Sequence, residues 1–97
     1  MVLKLNHVNE AFLNQAGKNI ITFTTIGNIE LGQNVIIVFN DREYLFQVSN
    51  IYAEINDEEL FHVKAEEIGY YNKIEDLSNL RKIIGLEVVF VDDKDYI

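Results

Sequence analysis

The strongest constraint on the fold is a run of five apolar residues from Val35 to Phe39. A strand with one face in water alternates apolar and polar side chains, so an uninterrupted run predicts a strand that is covered on both faces. We therefore expect this strand to be central. Around it, segment 32–67 is rich in β-formers and predicts three consecutive antiparallel strands.

The alternation changes phase inside this segment. Apolar side chains fall on even positions over 44–48 and on odd positions over 51–55. A change of phase near 49–50 indicates a β-bulge or a strand that turns a corner between sheets. Residues 60–65 resume the alternation after a polar turn, so the sequence predicts a small twisted sheet or a partly open barrel.

The segment 7–16 predicts a short helix. Val8, Ala11 and Phe12 fall on one stripe at helical spacing, and Gly17 is suited to the left-handed residue that ends a helix. The alternative is a strand from Val8 to Leu13 that pairs with the residues after it.

A second short helix is predicted over 75–84. Its apolar residues recur at helical spacing, acids lie at its start, bases lie at its end, and Gly85 follows it. Strands over 20–26 and 86–91 complete an α+β fold that is predominantly antiparallel β, with about five to six strands.

Length and composition favour one domain covering 1–97. The chain has 97 residues, of which 48% are hydrophobic and 25% are charged, and it has no cysteine. A disulfide framework and a cysteine-based metal site are therefore excluded. Its apolar runs are far shorter than the roughly 20 residues that span a bilayer, so we expect a cytoplasmic protein with no membrane partner.

The charge is strongly negative and unevenly placed. The net charge is −8; residues 54–97 hold twelve acids and five bases, whereas residues 1–53 hold four acids and three bases. Proteins that bind DNA, RNA or anionic membranes need clustered lysine and arginine to displace counterions. Direct binding of nucleic acid is therefore not expected.

The sequence offers little for catalysis. Its two serines, Ser49 and Ser78, lie in no nucleophile motif, and its single, separated glycines form no phosphate-binding loop. His7 and His62 are expected to be structural or solvent-exposed. Acids at 57–59 and 92–95 lack the ligand spacing of a calcium loop. We predict a non-enzymatic protein with no cofactor and no metal.

Tyrosines and acids concentrate between residues 52 and 71. Tyrosine is favoured at protein interfaces, and clustered acids attract a basic partner. We predict an acidic interaction module that binds a basic protein surface, including that of a nucleic-acid-binding protein which it would inhibit by mimicking nucleic acid. The candidate surface comprises Tyr52, Glu54, Asp57, Glu58, Glu59, Glu66, Glu67, Tyr70 and Tyr71.

Two other non-enzymatic functions remain open. A small-ligand-binding barrel would have a polar mouth lined by some of Tyr44, Tyr52, His62, Tyr70 and Tyr71. A structural subunit of a homo-oligomer would associate through strand edges or through the chain end 95–97.

Overall fold

The computed structural model describes residues 5–54, 56–68 and 82–91. They form one antiparallel sheet of six strands that is not closed, with the order β1-β2-β5-β4-β3-β6. The strands are β1 (Val8–Leu13), β2 (Asn19–Ile26), β3 (Asn34–Phe39), β4 (Arg42–Glu54), β5 (Asp57–Glu67) and β6 (Val89–Val91). The predicted antiparallel architecture is confirmed, and the predicted three-strand meander is β3-β4-β5.

The core lies on one face of this sheet, which we call the inner face; the opposite face is the outer face. Cross-strand partners share a face, so the pairs Phe23 with Val63 and Val48 with Ala65 carry the core from β2 through β5 to β4. The buried members of this cluster are Val8, Ile21, Phe23, Val35, Ile37, Tyr44, Phe46, Val48, Val63, Ala65, Ile83 and Val88.

A β-bulge explains the change of phase in β4. Val48 pairs with Ala65 and Asn50 pairs with Lys64, so Ser49 is an extra residue on this strand. Beyond the bulge, Ile51 pairs with Val63 and packs against the core. The predicted bulge near 49–50 is confirmed. It allows apolar residues on both sides of it, within one strand of thirteen residues, to pack in the same core.

The helix predicted over 7–16 is wrong, and the alternative strand is correct. β1 pairs with β2, with Val8 opposite Phe23 and Ala11 opposite Ile21, and its register shifts between Val8 and Glu10. This irregularity places Val8 and Ala11, which are three positions apart, on the same inner face, and a separation of three residues is also typical of one face of a helix. Gly17, at φ 79°, belongs to the turn between β1 and β2.

The second predicted helix falls mostly outside the described residues. Residues 75–81 are not described; Lys82 has helical backbone, and 83–85 form a turn with Ile83 buried and Gly85 at φ 91°. The described ranges contain no helical element, so neither short helix is supported. The same ranges contain no helix long and apolar enough to cross a membrane.

The apolar strand β3 is not central. It lies between β4 and β6, and the middle of the sheet is formed by β5 and β4. Ile36 is buried on the outer face opposite Leu45, but Val38 is 51% exposed, so the cover on that face is incomplete. The connection 27–33 carries the chain from β2 past β5 and β4, which local sequence does not reveal.

Backbone hydrogen bonds join the two sides of the open sheet near its first strand. The amide of Val8 donates to Leu86 over 2.9 Å, and that of Val88 donates to Asn6 over 2.7 Å. Phe90 on β6 stacks at a tilt on Phe23, with ring centroids 5.9 Å apart. The sheet is thus curled enough to bring β6 to the core of β2, although β1 and β6 remain its edges.

Neighbouring residues on β3 test the assignment of faces. Ile37 is fully buried and Val38 is half exposed, so Ile37→Ala should lower the free energy of unfolding by about 2–5 kcal/mol through lost burial and a cavity. Val38→Ala should lower it by no more than about 1 kcal/mol, the range of strand propensity. Urea denaturation measures both, and equal losses would contradict the inner face described above.

Candidate functional site

The hairpin between β4 and β5 brings together five of the nine residues predicted to form an interaction surface. Tyr52 and Glu54 end β4, Asp57, Glu58 and Glu59 begin β5, and Glu54 pairs with Asp57 across the hairpin. We call these five residues the hairpin end. Four of them are acids, so a short two-stranded tip concentrates much of the negative charge of the described sheet.

The outer side of the hairpin end holds an aromatic residue beside an ordered carboxylate. Tyr52 is 52% exposed and lies directly opposite His62 on β5. The Nε2 atom of His62 lies 2.6 Å from the Oε2 atom of Glu54. This hydrogen bond links the last residue of β4 to the middle of β5 and so orients one acid of the hairpin end.

A shallow depression next to Tyr52 is small for a ligand site. Its volume is about 210 Å³, and its lining includes Tyr52, His62, Thr22 and Lys64, whereas ligand pockets usually measure roughly 300–1,000 Å³. Tyr44 is buried in the core on the inner face. The aromatic residues considered for a barrel mouth are therefore divided between two faces, and Tyr70 and Tyr71 lie outside the described residues.

The acids Glu66 and Glu67 lie at the other end of β5. Glu59 and Glu66 are seven residues apart on one strand, which corresponds to about 23 Å at 3.3 Å per residue. Asn14 donates its Nδ2 to Glu66 over 3.3 Å, and the amide of Asn19 donates to Glu67 over 3.1 Å. These carboxylates bind the turn between β1 and β2, so their position serves the fold and separates them from the hairpin end.

A groove on the other side of the hairpin end was not predicted from sequence. It has a volume of about 460 Å³ and is lined by Ile26, Gly27, Asn28, Ile29, Glu59 and Phe61. The amide of Gly27 donates to the carbonyl of Glu59 over 3.1 Å, which joins the end of β2 to the start of β5. Since these segments are distant in sequence, the only local signal was an apolar residue, Ile26, directly before a Gly-Asn turn.

The lysine and arginine residues of β4 and β5 lie far along these strands from the hairpin end. Arg42 is the only lysine or arginine of segment 19–63, and it starts β4 at the opposite end of that strand. The next base, Lys64, lies five residues beyond Glu59 on β5, about 17 Å along the strand. The lysine and arginine of the two strands are thus separated from the hairpin end along the sequence, whereas His62 of β5 contacts Glu54.

Over 5–54, 56–68 and 82–91, no three histidine or acidic side chains are grouped so that they could hold a metal ion. The close contact between His62 and Glu54 involves two such groups only.

No protein-family model, curated protein or solved structure matches this chain. The candidate site therefore rests on its own geometry.

The hydrogen bond to Glu67 gives a test of its structural role. Glu67→Ala should lower the free energy of unfolding by about 1–3 kcal/mol, since the half-buried carboxylate accepts from the amide of Asn19. Glu67→Gln retains an oxygen acceptor and should lose less. Urea denaturation and hydrogen exchange of the Asn19 amide measure the effect; unchanged protection in the alanine variant would contradict it.

Proposed function

We propose that the protein is a non-catalytic interaction module whose hairpin end binds a basic surface on a partner protein. The observation that carries this proposal is the concentration of Glu54, Asp57, Glu58 and Glu59 on one hairpin, beside an exposed Tyr52. These four acids lie on one short hairpin, whereas Arg42 and Lys64, the lysine and arginine of the same strands, lie far along them.

Electrostatics supports a basic partner. Complementary charge raises the rate of encounter and orients the partner, and this effect falls as salt screens the charges. The net charge of −8 adds a long-range attraction for basic proteins and repels nucleic acids and anionic lipids. A basic protein surface, including one that ordinarily binds nucleic acid, fits both contributions.

Tyr52 supplies apolar contact area, which the acids lack. Exposed charge pairs contribute little net affinity because both groups lose favourable hydration on contact. Tyr52 offers apolar area with a polar tip and few rotamers to lose, as interface tyrosines do. Its neighbour Glu54 is already held by His62, so this part of the hairpin end needs little reordering before binding.

Charge reversal with a matched control tests the proposal. Glu58→Lys combined with Glu59→Lys should abolish capture of the partner from a lysate of the source organism at moderate salt. Glu30→Lys combined with Glu87→Lys changes the net charge equally at exposed positions outside β4 and β5, and should retain most of the capture. Raising the salt concentration should weaken capture by the wild-type protein.

Two results would contradict this function. One is that no protein is retained specifically by the wild-type chain. The other is that both double variants retain the same partner equally, which would assign binding to a different surface. Circular dichroism of each variant checks that the sheet is intact.

A further inference from the structure

Three side chains on the outer face, those of Tyr52, Glu54 and His62, form a group that we call the Tyr52 cluster. His62 lies directly opposite Tyr52 across the β4–β5 pair, and its Nε2 atom lies 2.6 Å from the Oε2 atom of Glu54. Because directly opposite residues have Cβ atoms about 4.5–5.5 Å apart, the aromatic ring and the carboxylate are both immediate neighbours of the imidazole. All three side chains reach solvent, since Tyr52 is 52% exposed and the side chains of His62 and Glu54 are 45% and 36% exposed.

The carboxylate of Glu54 is oriented but can accept more. His62 contacts its Oε2 atom, and among the residues that the structure describes its Oε1 atom accepts no hydrogen bond. The two oxygens of a carboxylate offer about four acceptor positions, so Glu54 can accept from a partner without losing His62. An acceptor that is already oriented loses less conformational entropy on binding than a free side chain does.

The depression beside Tyr52 has a size that suits one side chain. Its volume is about 210 Å³, and Glu10, an exposed acid of β1, lines it together with Tyr52 and His62. This volume is below the roughly 300–1,000 Å³ of pockets that enclose a small molecule. The depression can still receive the end of one side chain that a partner protein presents.

Lys64 also lines this depression, but its charge is directed away from Tyr52. The Nζ atom of Lys64 lies 6.0 Å from the centre of the Phe12 ring on β1. In the sheet, β1 and β4 lie on opposite sides of β5. The ammonium group therefore leans towards β1, and it leaves the ring of Tyr52 on β4 open to another cation.

The chemistry of the Tyr52 cluster favours a planar cation. The face of a tyrosine ring attracts cations, and a guanidinium group stacks flat on it. A guanidinium also carries five N–H donors at its edge, whereas an ammonium group is a compact and strongly hydrated point charge. An arginine can thus contact the ring with its face and the neighbouring carboxylate with its edge at the same time.

We infer that the Tyr52 cluster binds one arginine side chain of the basic partner and prefers it to lysine. The guanidinium stacks on the ring of Tyr52 and donates to the Oε1 atom of Glu54, while His62 keeps its contact with Oε2. This inference rests on the proposed function and adds to it the identity of one partner side chain.

Two peptides of equal charge test the preference, Gly-Arg-Gly-Arg-Gly and Gly-Lys-Gly-Lys-Gly. Each is titrated into the labelled protein at low salt, and the ring resonances of Tyr52 and the amide of Glu54 are followed by NMR. We expect the arginine peptide to bind about threefold to fivefold more tightly than the lysine peptide, the difference that a solvent-exposed cation–π contact provides. The arginine peptide should also shift the ring resonances of Tyr52 more strongly.

Matched variants locate the effect. Tyr52→Leu keeps apolar area but lacks an aromatic face, so it should bind the two peptides equally, whereas Tyr52→Phe should keep the preference. Glu54→Gln should weaken the arginine peptide by about fivefold, because a charge-assisted hydrogen bond becomes a neutral one. Glu30→Gln is the control, since it removes the same charge at an exposed position outside β4 and β5, and it should leave the preference unchanged.

The possible outcomes separate this inference from the function on which it rests. Equal affinity of the two peptides for the wild-type protein, or a preference that survives Tyr52→Leu, would overturn the inference and leave the proposed function standing. Binding of neither peptide would overturn both. Shifts of the Tyr52 ring that depend on protein concentration without peptide would assign this face to a second copy of the chain and overturn the inference. The amide spectrum of each variant checks that the sheet is intact.

Discussion

The structure depends on keeping apolar side chains of several strands on one face of a single sheet. β4 is the critical strand, because it pairs with both β3 and β5 over thirteen residues. In a regular strand with this sequence, the apolar residues beyond Ser49, such as Ile51, would lie on the outer face. The extra residue Ser49 restores the phase, so that Phe46 and Ile51 contribute to the same core. Because β4 continues beyond the bulge to Glu54, its hairpin with β5 carries the hairpin end.

Local pattern predicted most of this sheet and failed where bulges and strand order intervene. The alternations over 44–48 and 60–65 directly report burial, so β4, β5 and the bulge between their halves were predictable. In β1 the bulge moves Val8 and Ala11 to one face, so their spacing in the sequence resembles that of a helix. The place of β3 depends on β2 pairing with β5, a contact between distant segments that hydrophobic alternation does not encode.

The same distinction applies to the candidate site. The acids of the hairpin end lie close in sequence, so a turn between two strands was enough to bring them together. Closeness in sequence groups Glu66 and Glu67 with these acids, but in an extended strand Glu59 and Glu66 are about 23 Å apart. The groove could not be predicted from the sequence, because Ile26 and Phe61 are far apart in the chain and are brought together only by the pairing of β2 with β5.

The two acidic ends of β5 have different consequences for stability. Glu66 and Glu67 accept hydrogen bonds from the β1–β2 turn and its flank, so their charge is compensated by contacts that the fold itself requires. At the hairpin end, four acids lie on one hairpin, and His62 is held against one of them, Glu54. Ile26 exposes an apolar side chain at the same end of the sheet, and such a side chain gains free energy when it is covered. The hairpin end, where acids lie near the exposed Tyr52 and Ile26, is therefore the surface on which a function is best sought.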